Sequence, residues 1–154
     1  MRDPEQLWYD LVHRFASQSR CKSRQVGAII VKDNHLVAEG WNSAPKGSST
    51  DACPRAKCRG EEQASGAGLD SAICCHAEAN AIGNCSKRGV ATDGASLFCT
   101  TLPCAECAKL IVAAGIREVV FGSQYASTLT YKIFERAMIE CRPFSLGVRN
   151  EHNP

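Results

Sequence analysis

Between Ala77 and Ile139 the apolar residues change their period repeatedly, and this alternation narrows the fold more than anything else in the chain. Helical spacing from about Ala77 to Lys87 gives way to an extended run from Ala95 to Thr101. A helix from about Ala105 to Ala114, a strand from Glu118 to Phe121 and a helix from about Ser127 to Ile139 follow. A strand that is followed by a helix and then by another strand usually returns parallel, with the helix lying on a face of the sheet. Parallel pairing with helices on both faces follows, which is the α/β class in three α/β/α layers.

Upstream, Leu7, Trp8, Leu11, Val12 and Phe15 recur at helical spacing between Pro4 and Ser19, with Asp3 placed to cap and Pro4 in the first turn. Val26 to Val31, the turn Lys32-Asp33-Asn34, and His35 to Trp41 read as a β-hairpin. The first of those strands is apolar on both faces and should lie inside the sheet. Trp8, Leu11 and Phe15, with Phe134 and Met138 on the last helix, are expected in the core. From Asn42 to Asp70 the composition shifts to Gly, Ser, Pro and charge without periodicity, marking a Cys-rich insertion at about residues 43–75.

With 154 residues and 44% hydrophobic side chains, residues 1–154 read as a single domain large enough to build its own core. A net charge of +2 gives no field suited to coating a polyanion, so nucleic acid is not an expected partner. No run of 18 apolar residues is present, and Arg2, Asp3 and Glu5 stand where a secretory leader would be apolar, so a cytoplasmic protein with no membrane partner is expected. In a reducing compartment, ten cysteines point to metal ligation or catalysis before disulfides.

Two short segments carry that chemistry: His76-Ala77-Glu78 and Pro103-Cys104-Ala105-Glu106-Cys107. Both are expected where strands give way to helices, the edge at which open α/β sheets bind ligands. Cys104 and Cys107, three residues apart, share one face of a first helical turn and can grip the same ion, and the positive helix end favours their thiolates. His76 makes a third ligand. Three protein ligands leave a tetrahedral zinc one position for water, the pattern of a catalytic site, whereas structural sites are closed by four. Glu78, two residues beyond His76, is placed to carry protons to and from that water. A zinc site that only staples the fold is the competing reading, but it has no need of Glu78. His-x-Glu followed by Pro-Cys-x-x-Cys is the pattern of zinc nucleobase deaminases.

Together with Gln25-Val26-Gly27-Ala28, Gly40-Trp41-Asn42-Ser43-Ala44-Pro45-Lys46-Gly47, His76-Ala77-Glu78-Ala79-Asn80-Ala81-Ile82, Thr101 to Lys109 and Ala114 to Val120, these segments make the chain resemble the cytidine and deoxycytidylate deaminase superfamily from about Ser19 to Tyr125. The resemblance implies a cytidine-deaminase-like domain with a central mixed sheet of about five strands. It implies a catalytic zinc on His76, Cys104 and Cys107, with Glu78 as proton shuttle, acting on a small nucleotide. Deamination of dCMP to dUMP is the first expectation; CMP, cytidine, guanine and tRNA adenosine are alternatives. Asn42 resembles a ligand of base or sugar, and the main chain of Ala77 and Cys104 a reader of the ring edge. Arg24, in Lys22-Ser23-Arg24, and Tyr125 are candidates for the phosphate. Members also form homo-oligomers, and some carry a second, structural zinc, for which Cys21, Cys53, Cys58 and Cys74 are the choice here.

Overall fold

The computed structural model describes residues 3–21, 23–47, 73–125 and 127–146. Helix α1 (Pro4–Ala16) opens on Asp3, whose carboxylate accepts the Glu5 N–H at 2.9 Å, with proline in the first turn. Strands β1 (Gly27–Lys32) and β2 (His35–Trp41) form the hairpin. Its turn residues Asp33 and Asn34 both take positive φ, 50° and 61°, the geometry that matches strand twist. Then come α2 (Ala77–Arg88), β3 (Ser96–Thr101), α3 (Ala105–Ala113), β4 (Glu118–Ser123), α4 (Thr128–Arg136) and β5 (Glu140–Pro143).

The sheet runs β2-β1-β3-β4-β5. It is mixed, as expected: β1 pairs antiparallel with β2 and β3, and β3, β4 and β5 run parallel. Side-chain alternation divides the interior into two cores. Ala28 and Ile30 of β1, Leu97 and Cys99 of β3, and Val119 and Phe121 of β4 pack with Ala77, Ala81, Ala108, Ile111 and Phe134 under α2, α3 and α4. Ile29, Val31, Phe98 and Val120 point the other way, onto Trp8 and Val12 of α1. The two apolar faces of β1 are thus explained by helices on both sides, the three layers inferred from the sequence.

Two details of the last third differ from expectation. Helix α4 stops at Arg136, because Met138 turns left-handed at φ 55° and the chain enters β5, whose Glu-Cys-Arg-Pro sequence has no strand-like alternation to announce it. Met138, expected in the core, is 90% exposed at that corner. Arg142 fastens the edge strand by ion pairs to Glu5 on α1 and Glu118 on β4, at 3.1 and 3.2 Å.

Gly40 decides how closely α2 can lie on the sheet. A Cβ there would overlap the Ala77 carbonyl oxygen and the Ala81 nitrogen, both main-chain atoms that cannot rotate away. Gly40→Ala must therefore push the start of α2 off β2. Overpacking of this kind costs about 1–3 kcal/mol. We expect a lower melting temperature and weaker zinc retention together, read by thermal melt and metal analysis, whereas Gly83→Ala, at an exposed position inside α2 where a Cβ meets nothing within 4 Å, should keep its zinc and raise the melting temperature slightly, because alanine favours the helix.

Candidate active site

Both halves of the sequence pattern sit at helix starts. His76 is the N-cap of α2 and Cys104 the N-cap of α3; neither side chain makes the usual capping hydrogen bond, because each turns instead toward the other. Cys104 follows β3 directly, as expected. Among the described residues His76 does not follow a strand: an isolated bridge, Ser43 with Cys75, precedes it. That bridge has its own logic, since the Ser43 and Cys75 main chains exchange two hydrogen bonds at 3.1 and 2.8 Å. They join the end of β2 to the residue before His76.

His76 Nδ1 lies 3.5 Å from Cys104 Sγ and 3.4 Å from Cys107 Sγ, and the three ligand atoms fall within 4.8 Å of one another. With Zn–N of about 2.0–2.1 Å and Zn–S of about 2.3 Å, a tetrahedral ion sets N···S edges of about 3.6 Å. The triangle therefore fits zinc, and its sulfur-rich donor set favours zinc over magnesium or calcium. Among the described residues no other such cluster of ligand atoms occurs.

Electrostatics agree with the geometry. A hydrogen bond from the Cys107 thiol, reinforced by His76, brings the Cys104 thiol down to about 4 despite its partial burial. Cys107 is pushed far up, first by that same shared proton and then by burial. The pair gives up one proton readily and the second only in exchange for a cation. Glu78 is 4% exposed, and its Oε2 lies 3.5 Å from Cys107 Sγ. Burial raises its pKa above the ordinary carboxylate value of 4.5, opposed by its own N–H and by His76. A carboxyl held toward its neutral form beside a metal triangle suits proton transfer in both directions.

The other candidates fall into separate groups. Asn42 uses its side chain on the backbone: Nδ2 donates to Arg24 O and Oδ1 accepts from Val26 N, both at 2.8 Å. One N–H and one lone pair are left for a ligand. By chain continuity, Asn42 adjoins Ser43, whose partner Cys75 adjoins His76. Arg24 is half-buried in the segment Asn42 ties down. Ala77 is buried in the first turn of α2, and Tyr125 packs half-buried against the core beyond β4. Cys21 and Cys74 are half-buried thiols, while Cys53 and Cys58 lie outside the described residues. Cys85 and Cys99 are buried and Cys141 packs against the core, as expected.

Two asparagines of α2 tie the helix to the sheet. Asn80 Nδ2 donates to Trp41 O at 2.7 Å and to Ser43 Oγ at 3.1 Å, and Asn84 Nδ2 donates to Glu39 O at 2.7 Å. They strap α2 along β2 above Gly40. Asparagine is a poor helix former, so two at i and i+4 inside an otherwise good helix were the available signal.

The family model for the cytidine and deoxycytidylate deaminase zinc-binding region matches residues 2–123. The deoxycytidylate deaminase of Schizosaccharomyces pombe is 33% identical over 133 residues, covering 84% of this chain and 40% of that protein. The human deoxycytidylate deaminase is 40% identical over 129 residues, covering 79% of this chain and 68% of that one. Among solved structures, the dCMP deaminase of cyanophage S-TIM5 in complex with dCMP and dUMP has a TM-score of 0.76 at 31% identity, covering 93% of this chain and 99% of that chain. The chain spans about two fifths of the length of the Schizosaccharomyces pombe protein and of the deoxycytidylate deaminase of Saccharomyces cerevisiae. The family match includes every residue of the metal triangle and Glu78, so the chain belongs to the cytidine and deoxycytidylate deaminase family.

Proposed function

We propose that the protein is a zinc-dependent hydrolase that converts dCMP and water to dUMP and ammonia. The observation that carries this reading is the His76, Cys104 and Cys107 triangle with a buried carboxyl, Glu78, against one edge. Relatives named deoxycytidylate deaminase, and a structural neighbour solved with dCMP and dUMP, support the choice of substrate. Zinc held by the three ligands would bring the pKa of a water from about 16 to about 7.

Glu78 then accepts a proton from that water and delivers it to N3 of the cytosine while the water oxygen bonds to C4. It next takes the proton of the new C4 hydroxyl and passes it to the amino nitrogen. The C4–N bond breaks, ammonia leaves, and C4 keeps its oxygen as the uracil carbonyl. A carboxyl whose neutral form is favoured by burial can hold each proton between the two steps. The remaining N–H of Asn42 and the main chain of Ala77 and Cys104 are assigned to orient base and sugar.

Arg24 is assigned to the 5′-phosphate, where a planar guanidinium can donate in pairs, with the Tyr125 hydroxyl as a second donor. A hydrogen bond to a charged group is worth about 1.5–3 kcal/mol, so Arg24→Ala should raise KM for dCMP about 10- to 100-fold. Residual turnover of deoxycytidine, which has no phosphate, should stay as it was. Chromatography after incubation with dCMP, CMP, deoxycytidine and guanine tests the substrate directly. dUMP is expected from dCMP, and turnover of another substrate in its place would overturn the proposal.

The proposal extends to a single domain over residues 1–154 acting as a cytoplasmic homo-oligomer. No helix among the described residues is long and apolar enough to cross a membrane.

A further inference from the structure

The turn that carries Cys104 is gripped from behind by a residue of α4 that has no part in the chemistry above. Thr130 is fully buried, and its hydroxyl donates to the carbonyl oxygen of Pro103 at 2.9 Å. Thr130 Oγ1 also lies 2.9 Å from Ser127 Oγ. A carbonyl can only accept, so the single Thr130 proton goes to Pro103 and the Ser127 hydroxyl supplies the proton of the second bond. Ser127 Oγ in turn accepts the Thr130 N–H at 3.2 Å, capping α4. The ligand turn is thus fixed at two successive residues, since Leu102 N donates to Ser123 O at 2.9 Å on its other side.

The Pro103 to Cys104 peptide is trans, and across a trans peptide the carbonyl and the next N–H point in opposite directions. Gripping the Pro103 carbonyl toward α4 therefore sets the plane of the peptide from which Cys104 projects. It turns the Cys104 N–H away from α4 and limits the rotation available to the Cys104 side chain. Proline has no N–H of its own, so this carbonyl is the one polar main-chain handle at residue 103.

We propose that Thr130 is a positioning residue for the metal site: through Pro103 it holds Cys104 in the orientation that closes the triangle with His76 and Cys107. The proposal rests on the reading of that triangle as a zinc site. Outer partners of metal ligands are typically worth about 10- to 100-fold in metal affinity or activity.

Thr130→Val keeps the side-chain volume but leaves the Pro103 carbonyl without its donor; Thr130→Ser keeps the donor. Zinc affinity is measured by competition with a chelator of known affinity, alongside the visible spectrum of the cobalt-substituted protein, kcat and KM for dCMP, and the melting temperature of the metal-free protein. For Thr130→Val we expect a loss of zinc affinity of about tenfold or more, an altered cobalt spectrum and a fall in kcat with KM within twofold, all recovered in Thr130→Ser. A folded Thr130→Val protein with wild-type zinc affinity and cobalt spectrum overturns the proposal, even if its melting temperature falls.

Should Thr130→Val fail to accumulate as folded protein, Ser127→Ala takes its place. Without the proton from Ser127 the Thr130 hydroxyl is freer to rotate off Pro103, and zinc affinity should fall at least threefold. Unchanged affinity there also overturns it. Failure of the wild-type protein to bind zinc would instead defeat the underlying reading of the triangle.

Discussion

Glu78→Gln is expected to lower kcat for dCMP by about 10²–10⁴-fold while leaving one catalytic zinc in place and raising the melting temperature of the metal-free protein at pH 7. The two effects have one origin. Burial raises the folded-state pKa of Glu78 above 4.5, so the fold disfavours the ionised carboxylate. Below the unfolded-state pKa the side chain is neutral in both states and the fold carries no penalty. As pH rises through that value the unfolded chain gains by ionising, and the cost to the folded protein is complete once pH passes the folded-state pKa.

Glutamine has nearly the same shape, retains an oxygen beside the Cys107 thiol, and never ionises, so it removes this cost. It also cannot shuttle a proton. Melts of metal-free wild type and variant should differ at neutral pH and converge below about pH 4. Retained turnover would sink the assignment of Glu78 as proton carrier; a variant less stable at pH 7 would show that the carboxylate is stabilised in the fold by something other than the metal.

The layers, the two apolar faces of β1 and the ligands His76, Cys104 and Cys107 were legible because each rests on local spacing: period two, period 3.6, or a Cys-x-x-Cys step on one helical turn. What could not be read depends on contacts distant in sequence. Strand β5 rests on main-chain pairing with β4 and on Arg142 reaching Glu5 across 137 residues, and nothing in Glu-Cys-Arg-Pro announces it. The residue before His76 lies against Ser43 through a two-bond bridge too short to leave a pattern. Asn42 was matched to a ligand role by motif, whereas what the structure shows is its amide holding the chain at residues 24–26, a contact visible only with partners in place. Thr130 looked like an ordinary helix residue, and its partner, Pro103, lies 27 positions upstream.

Cys107→Ser should abolish deamination, with activity below about one ten-thousandth of wild type, and bring bound zinc close to zero after dialysis. Three ligands leave little redundancy: with His76 and Cys104 alone, the ion loses a thiolate that is 4% exposed and adjacent to Glu78. Without the ion a water returns to a pKa near 16, about nine units from where it is reactive at neutral pH, and even half of that difference in the barrier exceeds a 10⁴-fold loss. Folding should survive the same change. The domain owns two hydrophobic clusters, one on each face of the sheet, and neither is organised around the metal. Near-native circular dichroism with a modest drop in melting temperature is therefore expected, in contrast to small zinc modules that unfold without their ion. Cys141→Ser, a half-buried cysteine beside the core, is the control and should keep zinc and turnover. Should Cys107→Ser unfold altogether while Glu78→Gln stays active, the ion would be a staple for the fold, and the catalytic assignment of the site would fall with it.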